Sequence, residues 1–398
     1  MIEDAIPEAG RVIEGKLAAI APDVLAQYVL LSSHPWWRRR PCAQALRGRV
    51  PEAHAAALLD RIRDPHDTSH VRIALLDVLG DRAELLPWLQ AQTAEGQDHG
   101  VHDSCLQARA RLADLTAAPA LASLAASARR IAAAIGVASL DVLIAHHGAA
   151  AVERAVGSEA EGRMFANRLR SREEADLTPS LADPDVGVAR GACELILATG
   201  VPDDDHLRDH VVTGPTTEAR LWAAFALSLR GHDVVELWNA IDRPRVELPI
   251  PEDVRRAILR EYPGEARTDP RWLVERACTE LTDPPDAEAQ LARAIATLTA
   301  SRLAPGTPQA AGVEEGSGAG TYHQVEVAGS WLLISTLGPF VAGDNQPSPN
   351  PARLALEAAG FRWIDATLGA VSVEGLPVYY FGRRSPLNVQ TLLFYWQD

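Results

Sequence analysis

Apolar runs of helical length recur along much of this chain, each introduced by a short polar stretch. Residues 64–80 read DPHDTSHVRIALLDVLG and residues 181–200 read LADPDVGVARGACELILATG. Both carry Asp-Pro at or near the start, reach an Arg, and continue into an apolar run with helical spacing. Set on that Arg, RRPCAQALRG from Arg39, RIALLDVLG from Arg72, RGACELILATG from Arg190 and RLWAAFALSLRG from Arg220 fall into line. A leucine follows seven residues later in each, at Leu46, Leu79, Leu197 and Leu227. Arg255 begins a weaker copy with Tyr262 at that place, and Cys105 stands in the Arg position of HDSCLQARARL, with Leu112 seven later.

The interval is 33 residues from Arg39 to Arg72 and from Arg72 to Cys105, and 30 from Arg190 to Arg220. That period fits a helix, a turn, a second helix and a turn. Such a hairpin is too small to bury its own apolar face and completes its core by stacking on its neighbours. Asp-Pro predicts helix starts, because Asp can cap and Pro is tolerated in the first turn. Gly48, Gly80, Gly200 and Gly231 predict helix stops in the left-handed conformation. Cys42 and Cys193 stand where Leu75 and Ala223 stand in other units, which predicts small core residues. Residues 114–180 follow the repeat poorly, yet LASLAASARRIAAAIGV and SLDVLIAHHG have helical periodicity, so degenerate repeats are expected there.

These motifs resemble the HEAT-like repeat family, in the short variety also found in phycobilisome lyases. The resemblance covers about residues 20–280 and is clearest at Asp64, Asp183 and Pro215. It implies a right-handed α-solenoid of helical hairpins, and it identifies a fold better than a function. No catalytic residue carries over, because the shared motif is the structural repeat alone.

The pattern changes after residue 300. Residues 301–320, SRLAPGTPQAAGVEEGSGAG, lack an apolar period and predict a linker. Of 21 aromatic residues, 11 lie between Tyr322 and Trp396, which calls for a separate core. HQVEVAGSWLLIST, GAVSVEGLPVYYFG and VQTLLFYWQD predict strands, and NPARLALEAAGFRWID a short helix ended by Gly360 and then a strand. The fold class is therefore mostly α: a HEAT-like α-solenoid over 1–300, a linker at 301–320, and a small α+β domain with an antiparallel sheet at 321–398.

The formal net charge of -15 repels polyanions at long range, which disfavours nucleic acid and favours a protein partner with a basic surface. The opening MIEDAIPEAG has no signal-peptide pattern, and no run reaches the ~20 apolar residues of a membrane span, so no membrane association is expected. Cys42, Cys105, Cys193 and Cys278 form no CxxC pair, which suits reduced thiols and a cytoplasmic location.

Candidate chemistry is sparse. SSHPWWRRRPCAQALRG at 32–48 sets Trp36 and Trp37 against Arg38, Arg39 and Arg40. Arg39 is the repeat Arg, which leaves Trp36, Trp37, Arg38 and Arg40 as partner-binding candidates. His66 and His70, one period before His99 and His102, are weak metal candidates set against the plainer reading of solvated inter-helix turns. His206 and His210 share a helix face, but Leu207 stands where a zinc hydrolase needs its Glu base. Arg383 and Arg384 follow VYYFG and form a candidate partner or anion contact at a hairpin turn. Tyr379, Tyr380 and Phe381 are consecutive, so a strand cannot turn all three to one side. No cofactor is expected. The function expected is a non-catalytic protein-interaction scaffold that uses the concave face of a repeat array. One alternative is a lyase-like enzyme or maturation factor acting on a protein-bound substrate, with Trp88, Trp222, Trp238 and Trp272 lining a groove. A second is nucleic-acid binding through Arg38, Arg40, Arg47 and Arg49 with Trp36 and Trp37 as stacking surfaces.

Overall fold

The computed structural model describes residues 2–8, 12–93, 98–127, 129–283, 285–311, 320–343, 350–381 and 383–396. The chain is mostly helical, with a small sheet region at its C-terminal end. It divides into two compact units, Met1–Leu169 and Arg170–Asp398.

In the first unit the principal helices are α1 (Pro22–Leu30), α2 (Trp36–Gln44), α3 (Glu52–Arg63), α4 (Ser69–Leu79), α5 (His99–Arg111), α6 (Ala118–Ala125), α7 (Arg130–His147) and α8 (Ala149–Val156). Helix α2 packs on α4, α4 on α5 and α5 on α7, while α1 packs on α3. The apolar period explains this arrangement. Arg39, Cys42, Ala43 and Leu46 are all buried, as are Arg72, Leu75, Leu76 and Leu79, one period later. Each Arg closes its own hairpin: Arg39 Nε donates to the Val29 carbonyl at 2.8 Å, and Arg72 Nε donates to the Ile62 carbonyl at 3.0 Å. A guanidinium can cross the hairpin in this way because the last carbonyls of the preceding helix have no intrahelical partner.

Helix α7 is by length and composition long and apolar enough to cross a membrane. It packs on α5 and α6 and buries Ala132, Gly136, Ser139, Leu140 and Leu143. Gly136 sets the close approach to α6, since a Cβ there would lie 2.8 Å from the Ala125 Cα and the Leu121 carbonyl.

The second unit begins with α9 (Val186–Thr199), α10 (Asp204–Thr213), α11 (Thr217–Leu229), α12 (Glu252–Glu261) and α13 (Pro270–Cys278). Helix α11 is its hub, packed on α9, α10 and α13. Arg220 Nε donates to the carbonyl of Gly214, the C-cap of α10, at 3.0 Å, which resembles the hairpin closure of the first unit, whereas Arg255 Nη1 donates at 2.9 Å to the Val246 carbonyl in the loop before α12.

The C-terminal part follows with α14 (Ala287–Ala300), β1 (Gln309–Ala310), β2 (Tyr322–Val327), β3 (Ser330–Ser335), β4 (Phe340–Gly343), α15 (Pro351–Ala358), β5 (Arg362–Trp363), β6 (Ser372–Tyr380), β7 (Arg383–Asn388) and α16 (Val389–Leu393). One sheet has the order β1-β2-β3-β4-β5, and β6 and β7 form a separate hairpin. One face of the larger sheet is covered by α14 and α15, through Ala294, Leu298, Ala352 and Leu356 on Val325, Val327, Leu332 and Val341. A second cluster joins Val254, Ile258 and Trp272 of α12 and α13 to Phe340, Ile364, Leu376 and Leu393. The sheet region thus covers an apolar face that the last helices would otherwise expose to water.

Several expectations need correction. Asp-Pro caps a helix at Asp269-Pro270, where Asp269 accepts from Arg271 N at the start of α13, but not at Asp64-Pro65 or Asp183-Pro184. Asp64 accepts from His66 N and Asp183 from Asp185 N, both within the turn, and Asp185 caps α9 through Gly187 N and Val188 N. Leu197 is 40% exposed, and Ile196 fills the core instead. Helix α9 is rotated by one position, with Ala189, Ala192, Cys193 and Ile196 buried, because Arg190 turns to Glu194 and to the Glu265 carbonyl. Gly48, Gly200 and Gly231 have positive φ, but Gly80 does not: it is the C-cap of α4 at φ -67. Gly80 is required for space, since a Cβ would run into the Leu76 carbonyl and the Arg111 guanidinium. Helix α14, placed in the array by sequence, packs on the sheet. The described part of the expected linker contains β1, with Gly306 N donating to the Glu326 carbonyl, so it forms the sheet's edge. Residues 312–319 lie outside the described residues. The sheet is not wholly antiparallel: β5 runs parallel to β4, because α15 makes the crossover between them. VQTLLFYWQD gives a helical turn at Val389–Leu393, capped by Asn388, which accepts from Thr391 N.

Candidate functional site

The Trp-Arg stretch is divided by the helix that carries it. Pro35 precedes α2, and the helical spacing sends Trp37, Arg38 and Arg39 inward while Trp36 and Arg40, four residues apart, share an outer face. Arg39 is fully used. Its Nη atoms donate to both Asp67 carboxylate oxygens at 2.7 and 2.6 Å, and both side chains are buried. Burial alone would raise the Asp67 pKa. The hydrogen bonds and charge of Arg39, with the Thr68 N–H and Arg61, outweigh it and hold the carboxyl below its ordinary value. Arg38 donates to the Ile6 carbonyl at 3.0 Å and lies over the Trp37 ring at 4.6 Å. Trp37 is half-buried on the core. These two candidates hold the N-terminal segment in place.

Trp36 is 41% exposed and stacks on His70 of α4, with ring centroids 4.2 Å apart. Arg40 is exposed and, among the described residues, has no ion-pair or hydrogen-bond partner. Arg47 pairs with Asp77, and Arg49 donates to the carbonyls of Ala45, Ala18 and Ile20. The four arginines of a nucleic-acid patch are therefore not free together, and one of them remains available.

The histidine candidates do not converge. His66 is exposed in the turn, His70 is committed to Trp36, and His102 is half-buried on α5. The His99 side chain lies outside the described residues. Among the described residues no three His, Cys, Asp or Glu side chains are grouped to hold a metal ion. His206 approaches Asp176 at 3.5 Å, and burial followed by the charge of His206 lowers the His210 pKa. The four cysteines are reduced. Burial pushes the thiols of Cys42, Cys105 and Cys193 up to about 12 and that of Cys278 up to about 11, so all four are protonated at neutral pH. In the second unit Trp222 and Trp238 are buried in one core cluster and Trp272 in another, and in the first unit Trp88 packs half-buried against that unit's own core, so each ring is taken up by packing.

In the second unit, Arg384 pairs with Glu265 and lies over Tyr379 at 5.5 Å. Arg383 is exposed and has no partner among the described residues. Tyr379 is 41% exposed, Tyr380 is half-buried and Phe381 is 50% exposed. Sequence reasoning missed the partner of these rings, the C-terminal Tyr395 and Trp396, because it placed them on a strand. No family model, curated protein or solved structure matches the chain.

Proposed function

We propose that the helices of both units are HEAT-like hairpins of a right-handed solenoid, and that the protein is a non-catalytic, cytoplasmic protein-interaction scaffold. The matching hairpin closures of Arg39 and Arg72, each from Nε to a carbonyl of the preceding helix ten residues back, support the repeat reading. The observation that carries the binding reading is the outer face of α2. Trp36 and Arg40 stay in water one helical turn apart while Trp37, Arg38 and Arg39 turn inward. Trp and Arg are the residue types most enriched at interface hot spots. The net charge of -15 steers a partner that is basic overall, and the Trp36–Arg40 face sets the local contact.

The test is quantitative affinity capture from native lysate with the full-length protein and with Trp36→Ser and Arg40→Glu. A protein that binds the parent and is lost from both variants, with unchanged thermal melts, supports the reading. Absence of any reproducible capture by the parent, or equal capture by all three, overturns it. Deleting 321–398 is a poor control, because Phe340, Leu376 and Leu393 share a core with α12 and α13.

A further inference from the structure

The β6–β7 hairpin ends in an aromatic construction that stability does not explain. Tyr380 pairs with Arg383 across a two-residue loop that begins at Phe381. Such loops favour Asn, Asp or Gly at the first position, because it needs positive φ. Phe381 stands there with φ 43, a left-handed conformation that costs a bulky residue free energy. The ring does not recover this cost by burial, being 50% exposed. It is braced from behind instead. Phe381 contacts Tyr380 at 4.7 Å and Trp396 at 5.8 Å, Tyr380 contacts Tyr395 at 5.6 Å, and Tyr395 contacts Tyr262 at 6.1 Å. Tyr262 Oη donates to the Leu392 carbonyl and Tyr395 Oη to the Tyr379 carbonyl, which fixes the row of rings to the body of the unit. Trp396 Nε1 is buried and has no hydrogen-bond partner among the described residues.

We propose that Phe381, with Arg383 beside it, is a second docking site, and that it binds an exposed segment of another protein that carries a carboxylate next to a bulky apolar side chain. A ring already held in place loses little freedom on binding, which is what an anchor requires. Arg383 faces the same side of the hairpin as Tyr380, its cross-strand partner. Arg384 is paired with Glu265, which leaves Arg383 as the cation of the tip without a partner among the described residues. A cation without a partner among the described residues, near exposed rings, complements a carboxylate beside an apolar group. Nucleic acid is disfavoured, since its affinity comes from neutralising several phosphates and the chain carries a net charge of -15. Strand addition is disfavoured too, because Pro386 removes a main-chain donor from the exposed strand β7. Recognition then runs through side chains.

The test pans a random-peptide display library against the full-length protein and measures the selected peptides by fluorescence anisotropy. Phe381→Asn places a favoured turn residue at the tip and should melt no lower than the parent; Arg383→Glu reverses the charge. The expected result is enrichment of peptides pairing Asp or Glu with Trp, Phe, Leu or Ile. Their affinity should fall about tenfold or more in each variant and stay unchanged in Arg353→Ala. Selected peptides that lack this pairing, or that bind Phe381→Asn as well as the parent, overturn the proposal. So does an absence of enriched peptides, or binding of single-stranded DNA or phosphatidylserine–phosphatidylcholine vesicles that depends on Phe381 where peptide binding does not.

Discussion

Asp67→Asn isolates the buried ion pair that joins two successive helical hairpins. The Arg39 side chain is 2% exposed and that of Asp67 is 1%. The substitution keeps the shape and one acceptor but removes the charge, leaving the guanidinium facing a neutral amide without water. Removing one partner of a buried pair typically costs about 3–5 kcal/mol. The Val29 carbonyl still accepts from Arg39 Nε and Asn retains one acceptor, which places the expectation at the lower end, ~3 kcal/mol. The assay is native-state hydrogen exchange of the amides of α2 and α4, which reads the local joint, together with urea unfolding. Replacing both partners by apolar residues, as in Arg39→Met with Asp67→Leu, should recover most of the loss. The sign with pH follows from the Asp67 carboxyl, which is held below its ordinary value. Its contribution is fully present above the unfolded-state pKa and disappears as pH falls through the folded-state value, so parent and variant should converge in acid. A loss below ~1 kcal/mol for Asp67→Asn, or a double variant no more stable than the single one, would refute the pair as a structural joint.

Three further outcomes follow from other places in the fold. Gly375→Ala should lower the stability of the second unit by about 2 kcal/mol in denaturant unfolding. Gly375 has φ 76, a Cβ there would sit 2.9 Å from the Asp269 Cβ, and its carbonyl accepts from Asp269 N. Gly48→Asn should be nearly neutral, since Gly48 has φ 71 and open space around it, whereas Gly80→Asn should cost about 1–3 kcal/mol through overpacking. Equal melting temperatures for the last two variants would contradict the distinction between conformation and space. A thiol-exchange reagent at pH 8 should leave Cys42, Cys105 and Cys193 unmodified in the native protein and reach Cys278 slowly, with all four reacting in urea. Rapid native labelling of Cys42 or Cys193 would place them outside the core.

What the sequence determined by itself is the local and periodic part. Arg39, Arg72, Arg220 and Arg255 were legible as a register because helix burial repeats every three to four residues and a hairpin repeats at a fixed length. The core roles of Cys42 and Cys193, the stop at Gly360 and the β2–β3 hairpin were legible for the same reason. Tertiary structure decided what depends on neighbours distant in the chain. Ala189 sits where alignment placed Arg190, because Arg190 is drawn to the Glu265 carbonyl, which is 75 residues away. Gly80 serves space rather than conformation because Arg111 and Ala108 of the next hairpin press on it. Of WWRRR, local pattern cannot say which side chains stay free. Asp67 claims Arg39 and the Ile6 carbonyl claims Arg38, leaving Trp36 and Arg40 on the surface. The run Tyr379, Tyr380 and Phe381 was legible as one whose rings cannot all face one side of a strand beside a hairpin turn, but only the folded chain set Phe381 as the ring at the turn, braced by Trp396 and facing water. Helical periodicity records which residues leave water, whereas the partner that each buried charge or ring meets is fixed only when the hairpins and the sheet come together.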